Sequence, residues 1–122
     1  MKIKNFEEIE AWKEAKKLTF LIYKLTNNQS FSRDYGLKDQ IQRAAVSCMS
    51  NIAEGFESDT NQQFIQFLIY TRRSSAEVKS ILYVAAELRY INMQEFEGAY
   101  KQAEQVAKLT NGFISYLKHA KR

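Results

Sequence analysis

The chain has 122 residues, 45% of them hydrophobic, with no proline, four glycines, and 18 Lys and Arg against 14 Asp and Glu for a formal net charge of +4. That is enough apolar material for one core. It is also a composition nearly free of helix breakers and tight-turn residues, which argues against a strand-and-hairpin fold and for long helices. The charge excess attracts polyanions yet stays within the range of ordinary soluble proteins, and a single cysteine, Cys48, excludes an intramolecular disulfide.

In chain order, Asn5-Phe6-Glu7-Glu8 reads as a capping box that opens a first helix. Its apolar stripe, Phe6, Ile9, Trp12, Ala15, Leu18, Ile22 and Leu25, recurs at three- and four-residue steps as far as Asn27. The polar run Thr26-Asn27-Asn28-Gln29-Ser30 ends it, and Ser32 is the expected N-cap of a second helix. That helix carries Leu37, Ile41, Ala44, Cys48 and Ile52 and is expected to close at Gly55, where a residue without a Cβ can turn left-handed. After the turn Ser58-Asp59-Thr60-Asn61, a third helix carries Phe64, Phe67, Leu68, Thr71, Val78, Leu82, Ala85 and Leu88 and stops around Tyr90-Ile91. A second capping box, Asn92-Met93-Gln94-Glu95, starts the last helix. Phe96, Tyr100, Ala103, Val106, Thr110, Phe113 and Leu117 take its stripe to the basic end Lys118-His119-Ala120-Lys121-Arg122, where cations suit the negative end of a helix dipole.

Four amphipathic helices joined by short loops pack most simply as an all-α, up-down-up-down antiparallel four-helix bundle, one domain over residues 1–122. Phe20, Tyr23, Tyr70 and Tyr83 fall off the main stripes, and surplus apolar surface of this kind predicts a homo-oligomer. No window approaches the roughly 18 apolar residues of a membrane span, and Met1-Lys2-Ile3-Lys4-Asn5 has no apolar signal core, so a cytoplasmic protein with no membrane partner is expected.

Two groups of residues could carry function. Gln40, Arg43, Ser47, Asn51 and Glu54 fall at steps of three and four on the second helix and form one polar stripe. Read as a recognition surface, Arg43 contacts phosphate while Gln40 and Asn51 offer amides to nucleic acid. Read as a structural network, the stripe is half-buried and Arg43 and Glu54 pair with a neighbouring helix, through residues such as Glu77. The stripe supplies both signs of charge, which favours the structural reading and predicts a cost of about 3 kcal/mol for Arg43→Ala. On the third helix Arg72, Arg73, Lys79 and Arg89 are interleaved with Tyr70, Tyr83 and Tyr90. Basic residues among aromatics suit single-stranded nucleic acid, although tyrosines at helical spacing are also what the edge of a core produces.

The chemical inventory is otherwise thin. His119 is the one histidine and lies near the end of the chain, Cys48 sits in an apolar stretch with no histidine beside it, and no Gly-rich loop is present to cradle a phosphate. Glu54 and Glu77 could bridge two helices, but the Glu-x-x-His pairs of a di-metal bundle are missing. The expectation is therefore no enzyme, no catalytic residues, no cofactor and no metal.

Asp34-Tyr35-Gly36-Leu37-Lys38-Asp39-Gln40-Ile41-Gln42-Arg43-Ala44-Ala45-Val46-Ser47, followed by Ser50-Asn51-Ile52-Ala53-Glu54-Gly55-Phe56, resembles the signature of a family of bacterial four-helix bundle proteins. These were first noticed as reading frames inside intervening sequences of 23S ribosomal RNA genes. The resemblance extends to Phe6–Trp12, Phe64–Leu68, Ser74–Glu77 and Phe113–Leu117. One departure is Arg73-Ser74, where the family usually reads Gly-Ser; a close helix contact at that glycine must be altered here, or the position must turn outward. The resemblance implies a homopentamer. It also implies RNA or DNA binding, since a related branch serves as the accessory variability protein of diversity-generating retroelements and binds reverse transcriptase and nucleic acid. The expectation is thus a non-enzymatic oligomer that binds RNA or DNA through a basic surface. The alternative is a protein-interaction or scaffold module with no nucleic-acid affinity.

Overall fold

The computed structural model describes residues 2–120. Among the described residues the chain is all-helical: a 3-10 turn Phe6–Glu8, then α1 (Glu10–Thr26), α2 (Gln29–Arg33), α3 (Tyr35–Phe56), α4 (Asn61–Glu87) and α5 (Met93–His119). Four of the five α-helices are long, and α2 is a short turn between the first two of them. Lys121 and Arg122 of the basic end lie outside the described residues.

Capping side chains set most of these boundaries. The Glu8 carboxylate accepts from the backbone N–H groups of Lys4 and Asn5, as the first capping box requires, but the turn it closes is 3-10 and α1 begins only after the extended residue Ile9. The Asn92 box forms in full: Asn92 Oδ1 accepts from the Glu95 N–H at 2.7 Å and Glu95 Oε1 from the Asn92 N–H at 2.9 Å. Ser32 is not the cap expected of it. The segment breaks into α2, capped by Asn28 through the Phe31 N–H, and α3, capped by Asp34 through the Leu37 N–H. The break drives Phe31 into the core and brings Asp34 under Tyr90, whose hydroxyl donates to Asp34 Oδ2 at 3.0 Å.

Gly55 is also corrected. It keeps helical geometry, and a Cβ there would meet Phe64 Cδ1 at 2.7 Å and Phe67 Cβ at 2.9 Å, so its bare Cα is what lets α4 approach α3. Left-handed closure occurs instead at the end of α4, where Arg89 has φ 62° while the Arg89 N–H donates to Ala86 O and the Tyr90 N–H to Ala85 O. These two bonds form a Schellman motif.

The long helices meet in a ring of four contacts, α1 with α3, α3 with α4, α4 with α5 and α5 with α1. In each pair the chains run in opposite directions. Gln42 donates to Thr26 Oγ1 while, farther along, Thr19 donates to Ala45 O; Gly55 faces Phe64 while Ser74 reaches Ser47; Asn61 donates to Ala120 O while Tyr83 packs on Phe96; and Gln102 joins Glu14 midway along α1 and α5. Between them lie Leu18, Ile22, Ile41, Ile52, Phe64, Leu68, Leu82 and Val106, all fully buried, each stabilising the fold by roughly 1.5–3 kcal/mol before entropy is counted. Of the buried hydroxyls in this interior, those of Thr19, Thr26, Thr71 and Ser75 donate to carbonyls while Thr110 Oγ1 has no partner among the described residues; Thr71 Oγ1 donates to Cys48 O at 3.0 Å and the Cys48 thiol to Thr71 O at 3.8 Å, which stitches α3 to α4.

Candidate nucleic-acid interface

Adjacent residues on an α-helix point about 100° apart, so Arg72 and Arg73 cannot share a surface closely. Arg72 leans toward α5, where its Nη1 donates to Asn111 Oδ1 at 3.0 Å. Lys79, two turns on, lies on the same side with its Nζ 4.9 Å from the centre of the Tyr100 ring. Arg73 instead stands on the outer ridge of α4 and is exposed, so the position turns outward, one of the two outcomes expected where the resemblance puts a glycine. Arg89 is exposed at the far end of the α4/α5 seam and lines a groove of about 360 Å³ with Tyr83, Glu87, Met93 and Phe96. Among the described residues none of Arg72, Arg73, Lys79 and Arg89 forms an ion pair, whereas Lys13, Lys17 and Arg43 each have an acid three or four residues away.

The aromatics divide differently from the sequence pattern. Tyr83 is 56% exposed and stands edge-on to Phe96 at 5.0 Å and Tyr100 at 5.8 Å, forming a ring cluster beside Lys79. A hydrogen bond with Tyr100 holds the Tyr83 phenol above its usual pKa. Tyr90 plays another part, bridging loops: its hydroxyl donates to Asp34, its ring lies 5.3 Å from Phe31 and its carbonyl accepts from Asn28 Nδ2 at 2.6 Å. Tyr70 packs edge-on against Phe67, toward α3 and away from Arg72. Phe96, Tyr100, Met93 and Asn111 join the seam from α5; sequence reasoning missed them because Phe96 and Tyr100 also fit the core stripe of that helix.

Much of the polar stripe does come together, in a groove of about 360 Å³ between α3 and α4 lined by Asp39, Gln40, Arg43, Ser47, Ser74 and Glu77. Asn51 Nδ2 donates to Ser47 Oγ at 2.9 Å, and Ser74 and Ser47 share a hydrogen bond of 3.0 Å. The expected pairing of Arg43 with Glu77 is not made within the chain. Arg43 has an 80% exposed side chain and reaches Asp39 Oδ2, one turn earlier on its own helix, at 3.6 Å. Glu54 is likewise exposed. Neither charge is desolvated, so neither demands a partner on α4.

Burial pushes the Cys48 thiol up to about 12, far from a reactive thiolate. Among the described residues no group of three or more His, Cys, Asp or Glu side chains could hold a metal ion, and no helix is long and apolar enough to cross a membrane. An apolar groove of about 940 Å³ lies between residues 2–11 and the C-terminal half of α5, lined by Ile3, Ile9, Leu109 and Phe113.

No curated protein matches the chain. A solved structure described as a protein of unknown function from the S23 ribosomal protein family of Bacteroides thetaiotaomicron is similar in fold, with a TM-score of 0.78 at 20% sequence identity, over 85% of this chain and 97% of that one. Residues 7–112 match the family described as 23S rRNA-intervening sequence protein, a stretch that takes in the α3/α4 groove, Arg72, Arg73, Lys79 and Arg89, and on that match the chain belongs to this family.

Proposed function

We propose that the chain is a non-enzymatic, up-down-up-down four-helix bundle that assembles as a homo-oligomer in the cytoplasm and binds RNA or DNA along the α4/α5 seam. The observation that carries this is the combination there of three cations without acidic partners, Arg72, Lys79 and Arg89, with the exposed ring of Tyr83. Unneutralised cations release counterions from phosphates, and an exposed ring gives an unstacked base a surface of either sequence. Repetition around an oligomer multiplies the modest charge of each chain. Phe20, 64% exposed, and the apolar groove beside α5 are the surfaces such an assembly would cover, and the family resemblance implies five copies.

Fluorescence anisotropy with a labelled structured RNA at two salt concentrations tests the reading. Affinity is expected to fall steeply with salt, and the triple variant Arg72→Ala, Lys79→Ala, Arg89→Ala should flatten the slope of log affinity against log salt by about 2 to 3, close to one per lost contact. Absence of binding at low salt would overturn it. Salt-insensitive capture of a protein partner would favour a scaffold role instead.

A further inference from the structure

The cations and the Tyr83 ring of the proposed phosphate surface do not tell one base from another, whereas the α3/α4 groove has the wrong charges for phosphate: two carboxylates, Asp39 and Glu77, line it with the single guanidinium of Arg43. Resting on the nucleic-acid reading above, we propose that this groove receives a guanine base of the bound strand, with Arg43 donating to O6 and N7 and a carboxylate of Glu77 or Asp39 accepting from N1–H and the N2 amine.

Three observations lead there. The first is the availability of Arg43, whose fork is spent on one contact of 3.6 Å and is otherwise in solvent. Its planar pair of N–H donors matches two adjacent acceptors, and guanine O6 and N7 are the pair most often read by arginine. The second is the opposite sign beside it. A carboxylate accepts through two oxygens, so it selects an edge with two adjacent donors. Guanine has such an edge; adenine, cytosine and uracil each have a single donor group there, next to an acceptor. The third is a count of hydroxyl protons. Ser47 Oγ already accepts from Asn51, and the Ser47–Ser74 bond uses one of the two hydroxyl protons, so the other has no acceptor among the described residues and is free for a ligand. A groove of about 360 Å³ lies at the small end of ligand clefts, the size for one heterocycle.

The location also suits a strand already held by the seam. By the helical step, Arg72 and Lys79 face α5, Ser74 faces α3, and Arg73 projects from the ridge between them. A strand leaving the seam for the groove would cross Arg73, which can neutralise the phosphate passing over α4. Backbone contacts that position the strand and base contacts that specify it would thus lie on opposite flanks of one helix.

The test is titration of the isotopically labelled protein with guanosine 5′-monophosphate, followed by NMR at the Arg43 Nε–H, the Gln40 side-chain amide and the α3 backbone, with adenosine, cytidine and uridine monophosphates in parallel. The groove signals should move with the guanine nucleotide at least tenfold more tightly than with the other three. Arg43→Ala and the double variant Asp39→Asn, Glu77→Gln, all at exposed positions and so safe for the fold, should each weaken it at least tenfold while leaving the salt slope of RNA binding unchanged. Equal response to all four nucleotides, no movement of the groove signals, or unaltered affinity in both variants would overturn the proposal. Movement confined to Arg72, Lys79 and Arg89 would overturn it too and leave the phosphate surface standing.

Discussion

Arg89 is asked to do two things whose energies have opposite signs, and Arg89→Gly separates them. Its φ of 62° is left-handed, a conformation that costs a side-chain-bearing residue roughly 1–2 kcal/mol because the Cβ crowds the following carbonyl. Glycine escapes that cost but enlarges the unfolded ensemble, which returns about 0.4–1 kcal/mol. The two Schellman bonds, Arg89 N–H to Ala86 O and Tyr90 N–H to Ala85 O, are backbone bonds and survive the change. The variant should therefore be more stable by about 0.5–1 kcal/mol, a rise in melting temperature of roughly 2–5 °C for a domain of this size. It should also bind RNA more weakly, with a salt slope flatter by about 0.7–0.9, since one phosphate contact is gone. Thermal melts followed by circular dichroism and anisotropy titrations at several salt concentrations measure the two effects on one sample. A melting temperature equal to or below that of the parent would refute the strain reasoning; an unchanged salt slope would remove Arg89 from the surface.

Gly55→Ala should destabilise by about 1–3 kcal/mol in urea titration, because the new methyl group runs into Phe64 and into the Cβ of Phe67, which cannot swing aside; an unaltered midpoint would mean the helices are free to separate there. Tyr90→Phe should narrow its deficit relative to the parent at alkaline pH. In the parent the hydrogen bond to Asp34 raises the Tyr90 phenol above the usual 10.0, so its stabilisation is complete below pH 10 and is lost as pH rises through the higher folded value. A deficit that persists well above pH 10 would show that the neutral phenol is not what Asp34 holds. Cys48 should resist a thiol reagent at mildly alkaline pH until urea unfolds the chain, since burial keeps it protonated up to about 12; labelling of the folded protein faster than it unfolds would contradict this.

The parts legible from sequence were those carried by neighbours along the chain. Asn92 and Glu95 announce a helix start whatever surrounds them, because both hydrogen bonds of the box close within four residues. The stripes of α1, α4 and α5 mark a buried face because a three-and-four period puts those side chains on one side of any helix. Gly55, Arg43 and α2 depended on what lies across space. A glycine looks alike to a local reading whether it closes a helix or admits Phe64 from another. Arg43 belongs to a genuine polar stripe, yet its burial depends on how far α3 rotates toward α4, and in the chain that rotation leaves it in solvent with Asp39. The α2 break is held by Asn28, whose amide takes the carbonyl of Tyr90, 62 residues away. The same limit applies to the candidate site. Arg72, Lys79 and Arg89 could be picked out as cations, but only packing against α5 sets Arg72 on Asn111, Lys79 on Tyr100 and Arg89 beside Tyr83 and Phe96 and sends Arg73 to the ridge, since spacing sets the angle between side chains and only contact with a neighbour sets the direction in which that angle points.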